Sequence, residues 1–161
     1  MKILIACYSW KGHTRTVAQA LAKKLNASCT DIEPQGGMSP VSGGIKALFG
    51  MKGKIRSVGS DIKEFDHLVI ATPVWSHNIP PYTRQYLSEI TNTSGKKFSV
   101  LVEMGGSGAG RVVAIVRKMM EAKGMEFVAS AVTLEKDVDA NQFDTVLTEF
   151  AEKIQSSQKN H

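Results

Sequence analysis

The sequence contains no apolar run that approaches the roughly 20 residues needed to cross a bilayer. It also lacks a signal-peptide layout, because Lys2 leads directly into a strand-like apolar pattern. We therefore expect a cytoplasmic chain without a membrane span. Residues 1–161 are enough to bury a core, and no composition shift marks a boundary, so one domain is expected.

Cysteine is scarce, with only Cys7 and Cys29 in the chain. Both lie in strand-like runs and are expected to be small, buried core residues. A tyrosine phosphatase would need a Cys-x5-Arg loop beginning at Cys7, but His13 stands at the arginine position and Arg15 comes two residues late. That class of enzyme is therefore excluded.

The chain is basic, with a formal net charge of +5 and an isoelectric point near 9.3. Such an excess permits acidic partners, nucleic acid or a membrane surface. No nucleic-acid-binding motif accompanies the charge, because the aromatic residues do not alternate with the basic ones. We expect no nucleic-acid partner, and we predict no metal ligands.

The most informative stretch is Ser9–Thr14, which joins the strand-like run Ile3–Tyr8 to a helical pattern. The first N–H groups of a helix have no partner within it, and the helix dipole is positive at that end. Hydroxyl groups and a glycine in the turn favour a bound anion. Lys11, His13 and Arg15 crowd the same end, where cations oppose the dipole by about 0.3–1 kcal/mol each. A bound anion would explain their placement.

Further strand-like runs alternate with helical patterns along the chain. These runs are Ala27–Glu33, His67–Thr72, Phe98–Met104 and Phe127–Val132. Continuous apolar strands indicate a parallel sheet with helices on both faces, a doubly wound α/β sandwich. Ligands of such folds bind beyond the carboxyl ends of the strands. The last helix is predicted to begin at Asp139, which forms a capping-box pattern with Gln142.

Residues 34–60 interrupt this rhythm and are interpreted as an irregular insertion. The spacing of Ile45, Leu48 and Phe49 predicts a short helix, and four lysine and arginine residues make the segment basic. Its apolar face is expected to cover a sheet edge or an interface; docking of a partner or a membrane surface is the alternative. A homodimer through this segment is left open. The tail, 156–161, is expected to fray.

Three unusual loops fall at the carboxyl edge of the predicted sheet: 9–14, 73–78 and 105–110. The first suits a phosphate or a similar anion. The second displays Trp75, on which a planar ligand would stack. The third is rich in glycine, so its backbone can hydrogen-bond the polar edge of a flat heterocycle. Together the loops describe a mononucleotide-like cofactor such as FMN.

The sequence resembles the flavodoxin family over essentially its whole length, through three motifs in order. Tyr8–Arg15 resembles the phosphate loop, Thr72–Trp75 followed by Ile79–Pro81 resembles the second flavin loop, and Met104–Gly108 resembles the third. The resemblance implies a flavodoxin-like fold with strand order 2-1-3-4-5 and noncovalent FMN. The residues that it implies for cofactor binding are Ser9, Trp10, Lys11, Gly12, His13, Thr14, Thr72, Pro73, Val74, Trp75, Ser76, Asn78, Met104, Gly105, Gly106 and Ser107.

Three features set the chain apart from typical members of that family. Lys11 and His13 replace the usual threonine and asparagine of the phosphate loop, and both still donate to phosphate. The third loop has no aromatic residue, which leaves one flavin face open. The second loop contains no glycine, so Asn78 is the residue expected to take a positive φ.

Flavin would carry the redox chemistry, so no catalytic side chain is assigned. The resemblance favours electron transfer between redox partner proteins. The alternative is an NAD(P)H-dependent reductase of quinones or other small acceptors, which the basic charge and the open flavin face favour. A response-regulator receiver needs carboxylates after the first strand, and a dinucleotide-binding domain needs Gly-x-Gly-x-x-Gly there; Ser9–Thr14 supplies neither.

Overall fold

The computed structural model describes residues 1–36, 40–56 and 59–157. Within these residues the strands are β1 (Ile3–Cys7), β2 (Ser28–Asp31), β3 (His67–Pro73), β4 (Lys97–Met104) and β5 (Glu126–Leu134). The helices are α1 (His13–Leu25), α2 (Pro40–Leu48), α3 (Pro81–Glu89), α4 (Ala109–Glu121), α5 (Glu135–Asp139) and α6 (Asp144–Ser156). The continuous apolar runs of the sequence therefore form the predicted strands.

The strands form one parallel sheet in the order β2-β1-β3-β4-β5, as predicted. β1 lies between its two neighbours, with Ile5 opposite Cys29 on one side and Val69 on the other. The strand order changes direction at β1 and β3, so the loops that follow these two strands diverge. The crevice between diverging loops is where ligands bind in open α/β sheets.

The core consists of two layers, one on each face of the sheet. One layer packs α1 and α6 against the strands and includes Ile5, Leu21 and Phe150. The other packs α3 and α4 against the opposite face and includes Ile70 and Val116. Burial of each such side chain stabilises the fold by about 1.5–3 kcal/mol. The two layers fix the carboxyl ends of the strands, on which the candidate site is built.

The prediction for Cys29 is wrong, although that for Cys7 is confirmed. Cys7 is buried in the central strand β1. Cys29 is exposed, because β2 is an edge strand that pairs only with β1. Alternation of apolar and polar residues does not distinguish an edge strand from a central one.

The predicted start of the last helix is also wrong. Asp139 ends the five-residue helix α5, and the chain turns through Asn141, whose φ is +55°. The long helix α6 begins only at Asp144, and no side chain caps its N-terminus. The carboxylate of Asp139 does not cap a helix; it lies 2.9 Å from Nε2 of His13, the first residue of α1.

The insertion at 34–60 contains the predicted short helix, α2, but that helix does not cover the sheet edge with its apolar face. Ile45, Leu48 and Phe49 are exposed to solvent. Parts of the insertion, at 37–39 and 57–58, and most of the predicted frayed tail, at 158–161, lie outside the described residues. No helix in the described part of the chain has the length and apolar character that a membrane span requires.

Gly53 is the point at which the segment after α2 crosses α3. Its N–H donates to the Pro81 carbonyl (2.9 Å), and a Cβ at this position would lie 2.7 Å from Cδ1 of Tyr82. We predict that Gly53→Ala lowers the free energy of unfolding by about 1–3 kcal/mol, because the buried tyrosine ring has little room to move. Urea denaturation measures the change. The control is Gly59→Ala, where an added Cβ meets no atom within 4 Å; equal losses in the two variants would contradict this explanation.

Candidate functional site

The loops after β1, β3 and β4 converge on one cleft at the carboxyl edge of the sheet. The cleft contains about 490 Å³ of empty space, including the part open to solvent. The predicted residues that line it are Ser9, Trp10, Lys11, His13, Thr14, Pro73, Val74, Trp75, Met104 and Gly105. Two carboxylates that were not predicted, Glu103 and Glu135, complete the lining.

The first loop has the backbone geometry of an anion-binding turn. Gly12 precedes α1 with a φ of +102°, a conformation that favours glycine, and its N–H donates to Oγ of Ser9 (3.1 Å). α1 then begins at His13 without a side-chain cap. The N–H groups of its first turn are therefore left for a ligand or water.

The cations of this loop are paired with carboxylates of the same chain. Nζ of Lys11 lies 3.5 Å from Glu135, and Nε2 of His13 lies 2.9 Å from Oδ1 of Asp139. Arg15 turns away from the cleft and pairs with Asp31 at 3.2 Å. Two carboxylates of α5 therefore lie beside the basic side chains whose placement the sequence analysis explained by a bound anion. Because the last helix was predicted to begin at Asp139, these two partners were missed.

Glu103 is a buried carboxylate on the floor of the cleft. It is 7% exposed, and Oγ1 of Thr14 donates a hydrogen bond to it at 3.3 Å. Burial raises the pKa of Glu103 above its ordinary value, and the Thr14 hydrogen bond only partly offsets that effect. The only signal in the sequence was an acidic residue near the end of a strand that is apolar from Val100 to Val102.

The second loop is a two-residue turn closed by paired hydrogen bonds between Trp75 and Asn78, at 2.9 and 2.8 Å. The positive φ angles belong to Ser76 (+49°) and His77 (+57°), so the prediction for Asn78 is wrong. A turn of this kind needs left-handed residues at its two central positions. Asn78 is buried outside the cleft lining, where its Oδ1 accepts a hydrogen bond from Arg84 at 2.8 Å.

Trp75 is half-buried and is held edge-on between two other aromatic rings. Its ring centroid lies 5.6 Å from that of Tyr8 and 6.1 Å from that of Trp10, both in T-shaped geometry. Thr72 is buried, and its hydroxyl group shares a hydrogen bond with the hydroxyl group of Thr83 (2.9 Å between the oxygens). The contacts with Tyr8 and Trp10 therefore fix the orientation of the Trp75 ring, which forms an aromatic wall of the cleft.

The third loop is exposed at Gly105, Gly106 and Ser107. It is joined to the second loop by a close approach at Gly108, whose φ is +105° and where a Cβ would lie 2.9 Å from Cγ1 of Val74. Oγ of Ser107 also lies 3.0 Å from Nε2 of His77. Gly106 and Ser107 thus stand at the rim of the cleft and do not line it.

Residues 1–139 match the family model described as NADPH-dependent FMN reductase. The chain belongs to this family. Its cofactor is therefore FMN, as the sequence motifs predicted. The match spans all three loops, β5 and α5, and it ends before α6. No curated protein sequence matches the chain.

Solved structures with the same fold include both flavodoxins and reductases. A flavoprotein in complex with FMN from Lactobacillus acidophilus NCFM is 21% identical, covers 86% of this chain and 97% of its own, and has a TM-score of 0.69. A flavodoxin from Streptococcus pneumoniae TIGR4 is 16% identical over 98% of this chain and 99% of its own (TM-score 0.64). An azoreductase from Bacillus anthracis str. Sterne is 15% identical over 95% and 96% (TM-score 0.55). These likenesses confirm the flavodoxin-like fold.

The close approach at Gly108 can be tested in this FMN reductase family member. We predict that Gly108→Ala lowers the free energy of unfolding by about 1–3 kcal/mol, because the new Cβ meets Val74 in a backbone conformation that alanine rarely adopts. It should also weaken FMN binding, since the second and third loops must separate. Thermal denaturation and quenching of flavin fluorescence measure the two effects. In the control Gly110→Ala, the added Cβ meets no atom within 4 Å. If this variant lost as much stability and FMN affinity as Gly108→Ala, contact between the two loops would not be the cause.

The buried carboxylate predicts a pH dependence. Because folding raises the pKa of Glu103, the folded chain binds more protons than the unfolded chain just above the ordinary value of 4.5. The free energy of unfolding therefore falls as pH rises through that window. Glu103→Gln should remove this loss and therefore raise the melting temperature at pH 7.

The gain from Glu103→Gln should vanish when melting is measured below the ordinary carboxyl pKa, where wild-type Glu103 is protonated in both states. Glu149→Gln, which changes an exposed carboxylate on α6, serves as the control. A gain that stayed constant from acidic to neutral pH would show that charge at Glu103 is not responsible.

Proposed function

We propose that this chain uses FMN to oxidise NAD(P)H and to reduce a small acceptor such as a quinone. The observation that carries the proposal is the exposure of the third loop at Gly105, Gly106 and Ser107. No aromatic side chain of that loop covers this side of the cleft, so a nicotinamide and then an acceptor have room to approach. Membership of a family described as NADPH-dependent supports the same conclusion.

The residues of the cleft fit the two ends of FMN. We assign the phosphate to the uncapped N-terminus of α1, where Ser9, Lys11, Gly12, His13 and Thr14 would surround it. We assign the ring system to Pro73, Val74, Trp75 and Gly105 of the lining, with Gly106 beside them at the rim. The bound flavin would supply the redox chemistry, accepting electrons from the nicotinamide and passing them on.

The two α5 carboxylates, Glu135 and Asp139, must move away from Lys11 and His13 for the phosphate to bind. Glu135 and Asp139 now pair with Lys11 and His13, at 3.5 and 2.9 Å. Both carboxylates are partly exposed, so they can return to water when a phosphate replaces them. These exposed pairs are weak, about 0–1 kcal/mol each, whereas a phosphate also engages the free N–H groups of the helix. The exchange therefore favours the ligand.

Electron transfer between proteins is the second candidate. It is supported by the flavodoxin likeness, which covers almost the whole of both chains. In that role the flavin would be reduced by a partner protein, and NAD(P)H alone would leave it oxidised. The two candidates therefore differ in one measurable property.

The test begins with the visible spectrum of the purified protein after reconstitution with FMN, followed by anaerobic titration with NADPH. We expect a bound-flavin spectrum and rapid bleaching by NADPH. Bound flavin that NADPH leaves oxidised would favour the electron carrier, and no flavin binding would overturn both candidates.

The phosphate assignment has its own prediction. Lys11→Met should weaken FMN binding about tenfold, because one charge-assisted hydrogen bond is lost at a partly exposed site. Riboflavin, which lacks the phosphate, should bind wild type and variant equally. Fluorescence quenching measures both affinities. Lys23→Met, at the far end of α1, is the control; an equal loss for riboflavin would place Lys11 away from the phosphate.

A further inference from the structure

Exposed apolar side chains are concentrated in and just after α2. They are Val41, Ile45, Leu48, Phe49 and Met51, each 50–73% exposed. Elsewhere in the described part of the chain, large exposed apolar side chains occur only at Met1, Trp10 and Val146. A contiguous apolar surface of this kind marks a site of interaction. We call these five side chains the apolar patch.

The packing of α2 is the reverse of that of an ordinary surface helix. Its small residues Gly43 and Ala47 are buried, while Val41, Ile45 and Leu48, spaced four and three residues apart, share the solvent face. An ordinary amphipathic helix turns its large apolar residues toward the core. The large residues of α2 are therefore left for something outside this chain.

The charge around the patch has one sign. Residues 34–60 contain Lys46, Lys52, Lys54 and Arg56 and no aspartate or glutamate. Arg56 pairs with Glu33 at 3.2 Å. In the described ranges, the three lysines make no ion pair with a carboxylate. A patch bordered by unpaired cations complements an anionic surface.

We propose that the apolar patch docks this protein on an anionic lipid surface. Apolar side chains beside lysines are the combination that binds the boundary between headgroups and acyl chains. A second copy of this chain fits less well, because a two-fold contact through the patch would bring the lysines of both copies together. The patch extends along α2 and into the turn after it, and its side chains are at least half exposed, so they are accessible to lipid.

Docking would also place the FMN cleft close to the membrane. A Cβ on Gly44 would lie 3.5 Å from Oγ of Ser76, so α2 lies against the turn that borders the cleft. If the proposed function holds, a lipid-dissolved acceptor would then reach the flavin directly. This last step depends on the proposed function, whereas lipid binding itself does not.

The test is flotation of the flavin-free protein with vesicles of phosphatidylcholine alone or mixed with phosphatidylglycerol. We expect binding to the mixed vesicles only, and its loss at high salt. Ile45→Ser/Phe49→Ser should reduce the bound fraction at least tenfold, since two apolar anchors are lost. Lys52→Glu/Lys54→Glu should do the same, because each basic residue near an anionic surface strengthens binding about fivefold.

The control variant is Val146→Ser, which removes an exposed apolar residue on α6 and should leave binding unchanged. All variants alter exposed positions, and unchanged melting temperatures verify that they fold. Absence of binding to the mixed vesicles would overturn the proposal, and so would binding by Ile45→Ser/Phe49→Ser that equals that of the wild type. So would a dimer, measured by light scattering, that Ile45→Ser/Phe49→Ser dissociates, because a second copy would then cover the patch. Since no flavin is present, these outcomes are independent of NADPH oxidation.

Discussion

Parallel pairing of β1, β3 and β4 is the constraint on which the site depends. Because the three strands run in one direction, the loops that follow them must emerge at one edge of the sheet. The ladder continues into the loops themselves, through Tyr8 N–H to the Ala71 carbonyl and Val74 N–H to the Glu103 carbonyl, both at 3.0 Å. The loops are therefore extensions of the core and not free connections. In the assignment proposed above, the phosphate turn, the aromatic wall and the backbone edge all belong to these three loops.

The electrostatics of this edge are a compromise between the free and the ligand-bound protein. A helix N-terminus crowded with cations is unfavourable alone, and Glu135 and Asp139 relieve that repulsion by pairing with Lys11 and His13. The same carboxylates compete with any phosphate that enters. Glu103 differs because it is buried and has no cation within ion-pairing distance among the described residues. A second negative charge nearby would disfavour its ionised form still further. The floor of the cleft therefore disfavours an anion, whereas the basic side chains of the first loop favour one.

The sequence was sufficient for the parts of this structure that local pattern determines. Continuous apolar runs located the strands, and hydroxyl, glycine and aromatic residues located the three loops. Features that depend on tertiary partners were not predictable. The chain breaks at Asn141 and turns Asp139 toward His13, and no local pattern encodes that pairing. Asn78 had the right propensity for a positive φ, but the hairpin closed by Trp75 assigns that conformation to the two residues before it. Cys29 is exposed because β2 is at the edge of the sheet, a property of strand order alone.

The direction in which the apolar face of α2 points also could not be predicted from the sequence, and it decides which side chains are exposed. Helical periodicity identifies an apolar face, but it does not say whether that face points toward the core. Here glycine and alanine occupy the inner side, and they allow the helix to approach the turn at Ser76 more closely than larger residues would permit. Close approach on the inner side leaves no room for Ile45 or Leu48 there, so they must face outward. Contact with the second loop and exposure of the apolar patch therefore have one cause. A surface that covered the patch would therefore lie next to the turn at Ser76, in the loop that holds Trp75.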